Sequence, residues 1–210
     1  MKIFLYFCVL SIDDMTPERE ERILQVLNRR QHIFTVVLEN VFDPHNISAV
    51  MRTCDAVGIQ ELYVLNTRIP PHRKWGAKSS SSAANWLTIH QFTDAGECFK
   101  ELRKNYDRIL TTHLSGDASS LYDIDLTGRI ALVFGNEQVG VSEEIRALSD
   151  GNFLIPQVGM IRSLNISVAC AVSLYEAFRQ KTAAGHYSRR NLPDPVFNGL
   201  WESWGGEPHA

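Results

Sequence analysis

The chain predicts an α/β fold: a mostly parallel sheet flanked by helices. Runs rich in β-branched and aromatic residues alternate with segments whose apolar residues recur at helical spacing, the pattern of parallel strands joined by crossover helices. In addition, three polar turns each follow an apolar strand and open a helix, which is where open α/β sheets build their sites.

Taken in order, a helix is expected at 17–30, with Thr16 as its N-cap, Pro17 at the first helical position and acids behind it. Strands are expected near 34–39, 61–65, 87–91, 108–113, 130–134 and 153–155. Helices should lie near 47–57, 94–105, 142–149 and 166–182. The basic loop running into Ser79 to Ser82 reads as mobile. From Ala183 onward Gly, Pro and polar residues prevail, yet Tyr187, Phe197, Trp201 and Trp204 point to a docked tail. Residues 1–14 read as a disordered extension or an upstream-start artefact, because Met15 begins a more natural helix entry. The apolar run MKIFLYFCVL lacks a small-x-small cleavage site and is too short to span a bilayer.

At 210 residues, 44% hydrophobic and 21% charged, the chain can bury a sizeable core. Cys8, Cys54, Cys98 and Cys170 have no C-x2-C spacing, which suits a reducing cytoplasm rather than a zinc site or a disulfide framework. The seven His residues form no metal-ligand pair, so no metal is expected. Two N-x-S sequons, at Asn46 and Asn165, each open an apolar helix and are read as coincidence. The formal charge of −3 does not mark a nucleic-acid binder. Local charge differs: residues 66–82 hold Arg68, Arg73, Lys74 and Lys78 with no acid, and residues 178–193 hold Arg179, Lys181, Arg189 and Arg190 with none. These stretches suit phosphate contact or an ordinary solvated face.

The three junctions carry the chemistry. In the first, the strand Phe34 to Leu38 ends in a turn with Pro44. Asn46 then opens a helix with Ile47, Val50, Met51, Cys54 and Val57 inward, Arg52 six residues on, and Gly58 at its close. In the second, IALVF runs into Gly135, Asn136, Glu137 and Gly140, with Ser142 placed as a cap and Glu143 and Glu144 in the next first turn. In the third, IPQVGMIRSLN leads through Gly159 and Ser163 to Asn165, placed to cap a helix with Ile166, Ala169, Cys170, Ser173, Leu174, Ala177 and Phe178 at helical spacing. Taken alone, Asn165 is equally a plain helix cap.

In this order, N-x5-R, G-N-E-x2-G and I-P-x6-S-L-N resemble motifs one to three of the SPOUT methyltransferases. Within them the chain is similar to the SpoU/TrmH branch, and there to tRNA (guanosine-2'-O-)-methyltransferases of the D loop. The likeness spans about residues 16 to 190. It implies a deep trefoil knot at about 130–180, which periodicity alone does not suggest. It also implies S-adenosylmethionine as cofactor, tRNA as substrate and a homodimer packed through the helix from Ile166. The domain reading is a SPOUT methyltransferase unit at 15–182 followed by a tail at 183–210. By the same resemblance, Thr112, His113, Phe134, Gly135, Ile155 and Leu164 surround the cofactor, although Leu132, Ile155 and Leu164 read equally as core. Arg52, Asn46, Glu137, Ser163 and Asn165 form the catalytic set. Arg19, Arg22, Arg73, Lys74, Lys78, Arg179, Lys181 and Arg189 are the implied RNA contacts.

The reaction implied is direct methyl transfer to a ribose 2'-OH, which requires alignment and management of one proton. Arg52 as a base would cost about 7 to 9 kcal/mol to neutralise at pH 7. A phosphate clamp that also stabilises the developing alkoxide is the more economical role. SSSSAANW departs from the family's glycine-bearing stretch, and Lys181 stands where relatives carry Arg. The run A-G-H-Y-S-R-R resembles the A-G-x-Y-x-R segment of the tRNA enzymes. The alternatives are an rRNA enzyme, a wobble-position tRNA enzyme and a non-catalytic RNA-binding module.

Overall fold

The computed structural model describes residues 15–72, 83–116, 118–136 and 138–207. Along the chain come α1 (Pro17–Leu27), β1 (Phe34–Glu39), α2 (Pro44–Ala56), β2 (Glu61–Leu65), β3 (Thr88–Phe92), α3 (Ala95–Asn105), β4 (Arg108–Thr112) and β5 (Ser119–Ser120). They are followed by β6 (Ile130–Phe134), α4 (Glu143–Leu148), β7 (Gly151–Leu154), α5 (Ile166–Ala183) and α6 (Asp194–Ser203). All the strand pairings are parallel, in the order β3-β2-β1-β6-β4-β7-β5. β1 and β6 lie at the centre and are buried along their whole length, which is why β6 reads as an unbroken apolar run and β1 as a mostly apolar one.

Alternation along the strands divides the core into two layers. Val36, Leu38, Leu62, Val64, Leu132 and Phe134 pack against α2 and α5. Val37, Tyr63, Leu65, Ala131 and Val133 face α3 and α4. A third cluster joins Ile23 and Leu27 of α1 to Phe197, Trp201 and Trp204 of the tail, each buried ring worth roughly 1.5–3 kcal/mol. The aromatic tail therefore docks, as its composition implies.

Three boundaries depart from the sequence reading. α6 was not expected, because Pro193, Pro195 and Gly199 read as loop; the prolines instead sit at the N-cap and in the first turn, where a missing N–H costs nothing. α2 is opened by Asp43 and Pro44, not Asn46, and the Asp43 carboxylate accepts from His45 N at 2.8 Å. Asn46 consequently lies inside the first turn. α1 stops at Leu27, short of residue 30, and frees Arg30 to turn inward. Gly58 closes α2 at φ +79, where a Cβ would lie 2.8 Å from the Arg29 carbonyl oxygen. The expected mobile stretch through Ser79–Ser82 and residues 1–14 fall outside the described residues.

Candidate active site

The loops at the C-terminal ends of β4, β6 and β7 converge on one side of the sheet. They enclose a cavity of about 160 Å3 lined by Thr112, His113, Phe134, Gly135, Ile155 and Leu164, together with Phe153, Gln157, Arg162 and Ser163. All six residues expected around a cofactor thus meet at one place. Phe134 and Phe153 meet edge to face at 6.1 Å and form an apolar wall. At Gly135 a Cβ would stand 2.2 Å from the backbone of Gly140 and Val141, so the loop after β6 can fold back only over glycine.

The wall carrying His113 is polarised. Arg146 Nη1 lies 2.8 Å from His113 Nε2, and its guanidinium also donates to Glu143. A guanidinium only donates, so in this contact Nε2 is the acceptor.

Beside the cavity, the first and third motifs touch. Asn165 caps α5, its Oδ1 accepting from Ser167 N at 2.9 Å and Ser167 Oγ at 2.6 Å. That fixes the amide, and its Nδ2 donates to Asn46 Oδ1 at 3.2 Å. The cap is therefore also a cross-link between α5 and the first turn of α2, across 119 residues of sequence. Arg52, further along α2, is exposed and bonds no described residue. Glu137 lies outside the described residues.

A buried polar network holds the β1 and β6 loops in register. Asn136 Nδ2 donates to the Asn40 carbonyl at 2.9 Å, and its Oδ1 accepts from Gln138 N. Glu39 accepts from Ser142 N at 3.0 Å. Asn40 sits at φ +50, a conformation Asn tolerates better than most side chains. Sequence reasoning did not select Glu39, Asn40, Arg146 or Arg162. Asn136 stands in the second motif, between Gly135 and Glu137, and the sequence alone gives it no role.

The expected RNA contacts separate. Arg19, Arg22 and Arg189 are exposed, and Arg179 is exposed while paired with Glu176 at 2.8 Å. Arg73, Lys74 and Lys78 lie outside the described residues. Lys181 is a correction: it is 1% exposed, its Nζ donates to the carbonyls of Thr127 at 2.9 Å and Gly128 at 3.2 Å, and it lies over the Phe34 ring. Such an ammonium cannot reach a phosphate. Burial lowers its pKa to about 8. Cys54, Cys98 and Cys170 are buried free thiols, and burial pushes the first two up to about 12. No described helix is long and apolar enough to cross a membrane.

Comparison with known proteins agrees with this arrangement. Residues 33–175 match the SpoU rRNA Methylase family. A tRNA (guanosine(18)-2'-O)-methyltransferase of Thermus thermophilus is 40% identical over 193 residues, 91% of this chain and 97% of the relative. Among solved structures, the A. aeolicus TrmH/SpoU tRNA modifying enzyme superposes with a TM-score of 0.83 at 34% identity, covering 90% of this chain and 95% of that one. The SpoU methyltransferase AviRb of Streptomyces viridochromogenes, in complex with the cofactor AdoMet, superposes with a TM-score of 0.66 at 27% identity, covering 76% and 62%.

Proposed function

The chain belongs to the SpoU rRNA Methylase family, and on that premise we propose that it methylates a tRNA ribose 2'-hydroxyl from S-adenosylmethionine, at guanosine 18 of the D loop. The observation that carries this reading is the contact between Asn165 and Asn46 at the edge of a cavity lined by Phe134, Gly135, Ile155 and Leu164.

That cavity fits the cofactor. Its apolar walls suit an adenine face, Gly135 is part of its lining, and Arg162 supplies a cation on the wall. Thr112, His113, Phe134, Gly135, Ile155 and Leu164 would hold it. When bound, S-adenosylmethionine supplies an electrophilic methyl group on a sulfonium. The chain's own residues position and polarise the substrate. Arg52 keeps its charge, clamps the phosphate beside the target ribose and stabilises negative charge growing on the 2'-oxygen. Asn46, locked by Asn165, fixes the ribose; Ser163 forms part of the third wall, and Glu137 orients Arg52 or the substrate.

The reading extends to a methyltransferase unit over 15–182 with its tail from 183, a deep trefoil knot over about 130–180, and a homodimer in the cytoplasm. The placement of β6 between β1 and β4, with β7 beyond β4, supports the threading. Exposed Val168 and Tyr175 on α5, with Val158, Met160 and Ile161 before it, support a partner face. Arg19, Arg22, Arg179 and Arg189 meet the tRNA backbone, joined by Arg73, Lys74 and Lys78.

The test is transfer of labelled methyl from S-adenosylmethionine to unmodified total tRNA and, in parallel, to rRNA, with the labelled nucleoside mapped. A 2'-O-methylguanosine in the D loop is the expected product. Label elsewhere in tRNA or in rRNA replaces the substrate, and no label in either defeats the reading.

A further inference from the structure

Among the described residues lining the cavity, Arg162 alone carries a permanent charge. It stands between exposed Ile161 and Ser163 in the loop leading to α5, is exposed itself, and bonds no described residue. Arg146 and Arg179, by contrast, are engaged with Glu143 and Glu176. A guanidinium keeps its charge at any physiological pH and presents a planar fork of donors matched to a carboxylate. On the wall of an apolar cavity, with no carboxylate among the described lining residues, it is built to meet an anion brought by the ligand.

We propose that Arg162 receives the carboxylate of the methionine end of S-adenosylmethionine, an inference that rests on the cofactor reading above. The adenosine part is uncharged, and the sulfonium and ammonium are cationic, so the carboxylate is the one group of that molecule a guanidinium attracts. A phosphate of the RNA is the other available anion. Arg162 lines the cofactor cavity, whereas Arg52 is not among its lining residues, which favours the carboxylate. Arg162 thereby sets preference for the complete cofactor over analogues lacking the amino-acid end.

The experiment is calorimetric titration of the full-length protein and its Arg162→Gln and Arg162→Lys variants with S-adenosylhomocysteine and with 5'-methylthioadenosine, which lacks the carboxylate. Arg162→Gln is expected to weaken S-adenosylhomocysteine about five- to tenfold and leave 5'-methylthioadenosine unchanged, with Lys restoring part of the loss. The wild-type affinity for S-adenosylhomocysteine should fall with added salt, and that dependence should shrink in Arg162→Gln. Equal loss for both ligands, or none for either, overturns the assignment. Intact S-adenosylhomocysteine binding with a raised KM for tRNA assigns the guanidinium to an RNA phosphate instead. A wild-type protein that binds neither ligand defeats the cofactor reading itself, a result distinct from failure of Arg162. Matching melting curves of the ligand-free variants separate these outcomes from misfolding.

Discussion

The two ends of the strands use positive charge in opposite ways. Near the N-terminal ends, Arg30 and Lys181 are 0% and 1% exposed and are spent on the protein itself. Arg30 bonds the carbonyls of Ile59 and Trp86 and pairs with Asp55 at 2.5 Å, its guanidinium lying over Trp204. Lys181 ties the end of α5 to the chain entering β6. At this end too, Glu61 accepts from Tyr63 and Tyr106, with His32 and His90 each 3.8 Å away. On the other side Arg162 is exposed and bonds nothing described, and Arg52 on α2 is likewise exposed and bonds no described residue. A buried cation must satisfy its donors internally and becomes a strut; one left in water remains available to a ligand.

The contrast breaks first at Arg52. Arg52→Ala should lower methyl transfer to unmodified tRNA by about 10²- to 10³-fold, the scale of a lost transition-state donor. Cofactor affinity by calorimetry should stay within a few fold and the melting curve should not move. Near-normal turnover would remove Arg52 from the chemistry. Arg30→Met should do the reverse. Leaving Asp55 and two carbonyls without their partner should cost about 3 kcal/mol in urea unfolding, with kcat per folded molecule near wild type. A full loss of kcat at unchanged stability would move Arg30 from scaffold to site.

Lys181 sharpens the comparison through pH. Its folded pKa of about 8 lies below the ordinary 10.5. Between these values the unfolded chain holds the proton that the folded one has released. Its contribution to stability should therefore grow from pH 8 towards pH 10, by at most about 3 kcal/mol for the whole shift. From about pH 9 the buried thiols of Cys54, Cys98 and Cys170, and above pH 10 the buried phenols of Tyr63 and Tyr106, all raised chiefly by burial, work the other way. Relative to wild type, Lys181→Met should make stability fall more steeply between pH 8 and pH 10, and an unchanged slope would show that the ammonium is not responsible. The smallest effect belongs to Arg189. Arg189→Ala should raise the KM for tRNA about two- to threefold and reduce the salt slope of binding by about one. Lys181→Met should leave that slope alone; if it fell equally, the buried and exposed classes would collapse into one.

Much of this architecture is legible in local chemistry. The mostly apolar run 34–38 and the unbroken one 130–134, the helical spacing after Asn165 and the caps Thr16, Ser142 and Asn165 all act within a few residues, so one-dimensional reading reaches them. The motif residues could be gathered because strand-loop-helix junctions of a parallel sheet open on the same side. α6 was lost because its prolines imitate a loop and its stability comes from α1, distant in sequence. Asn165 could be read as a cap, yet its bond to Asn46 could not, since it joins positions 119 residues apart.

The sequence by itself determined the alternation of strands and helices, the caps and the residue types available at each turn, because propensity and periodicity are short-range. Only the tertiary structure decided that Lys181 faces Phe34 while Arg52 and Arg162 face water. Burial depends on what the rest of the chain places around a side chain, and no property of an isolated Lys or Arg carries that information.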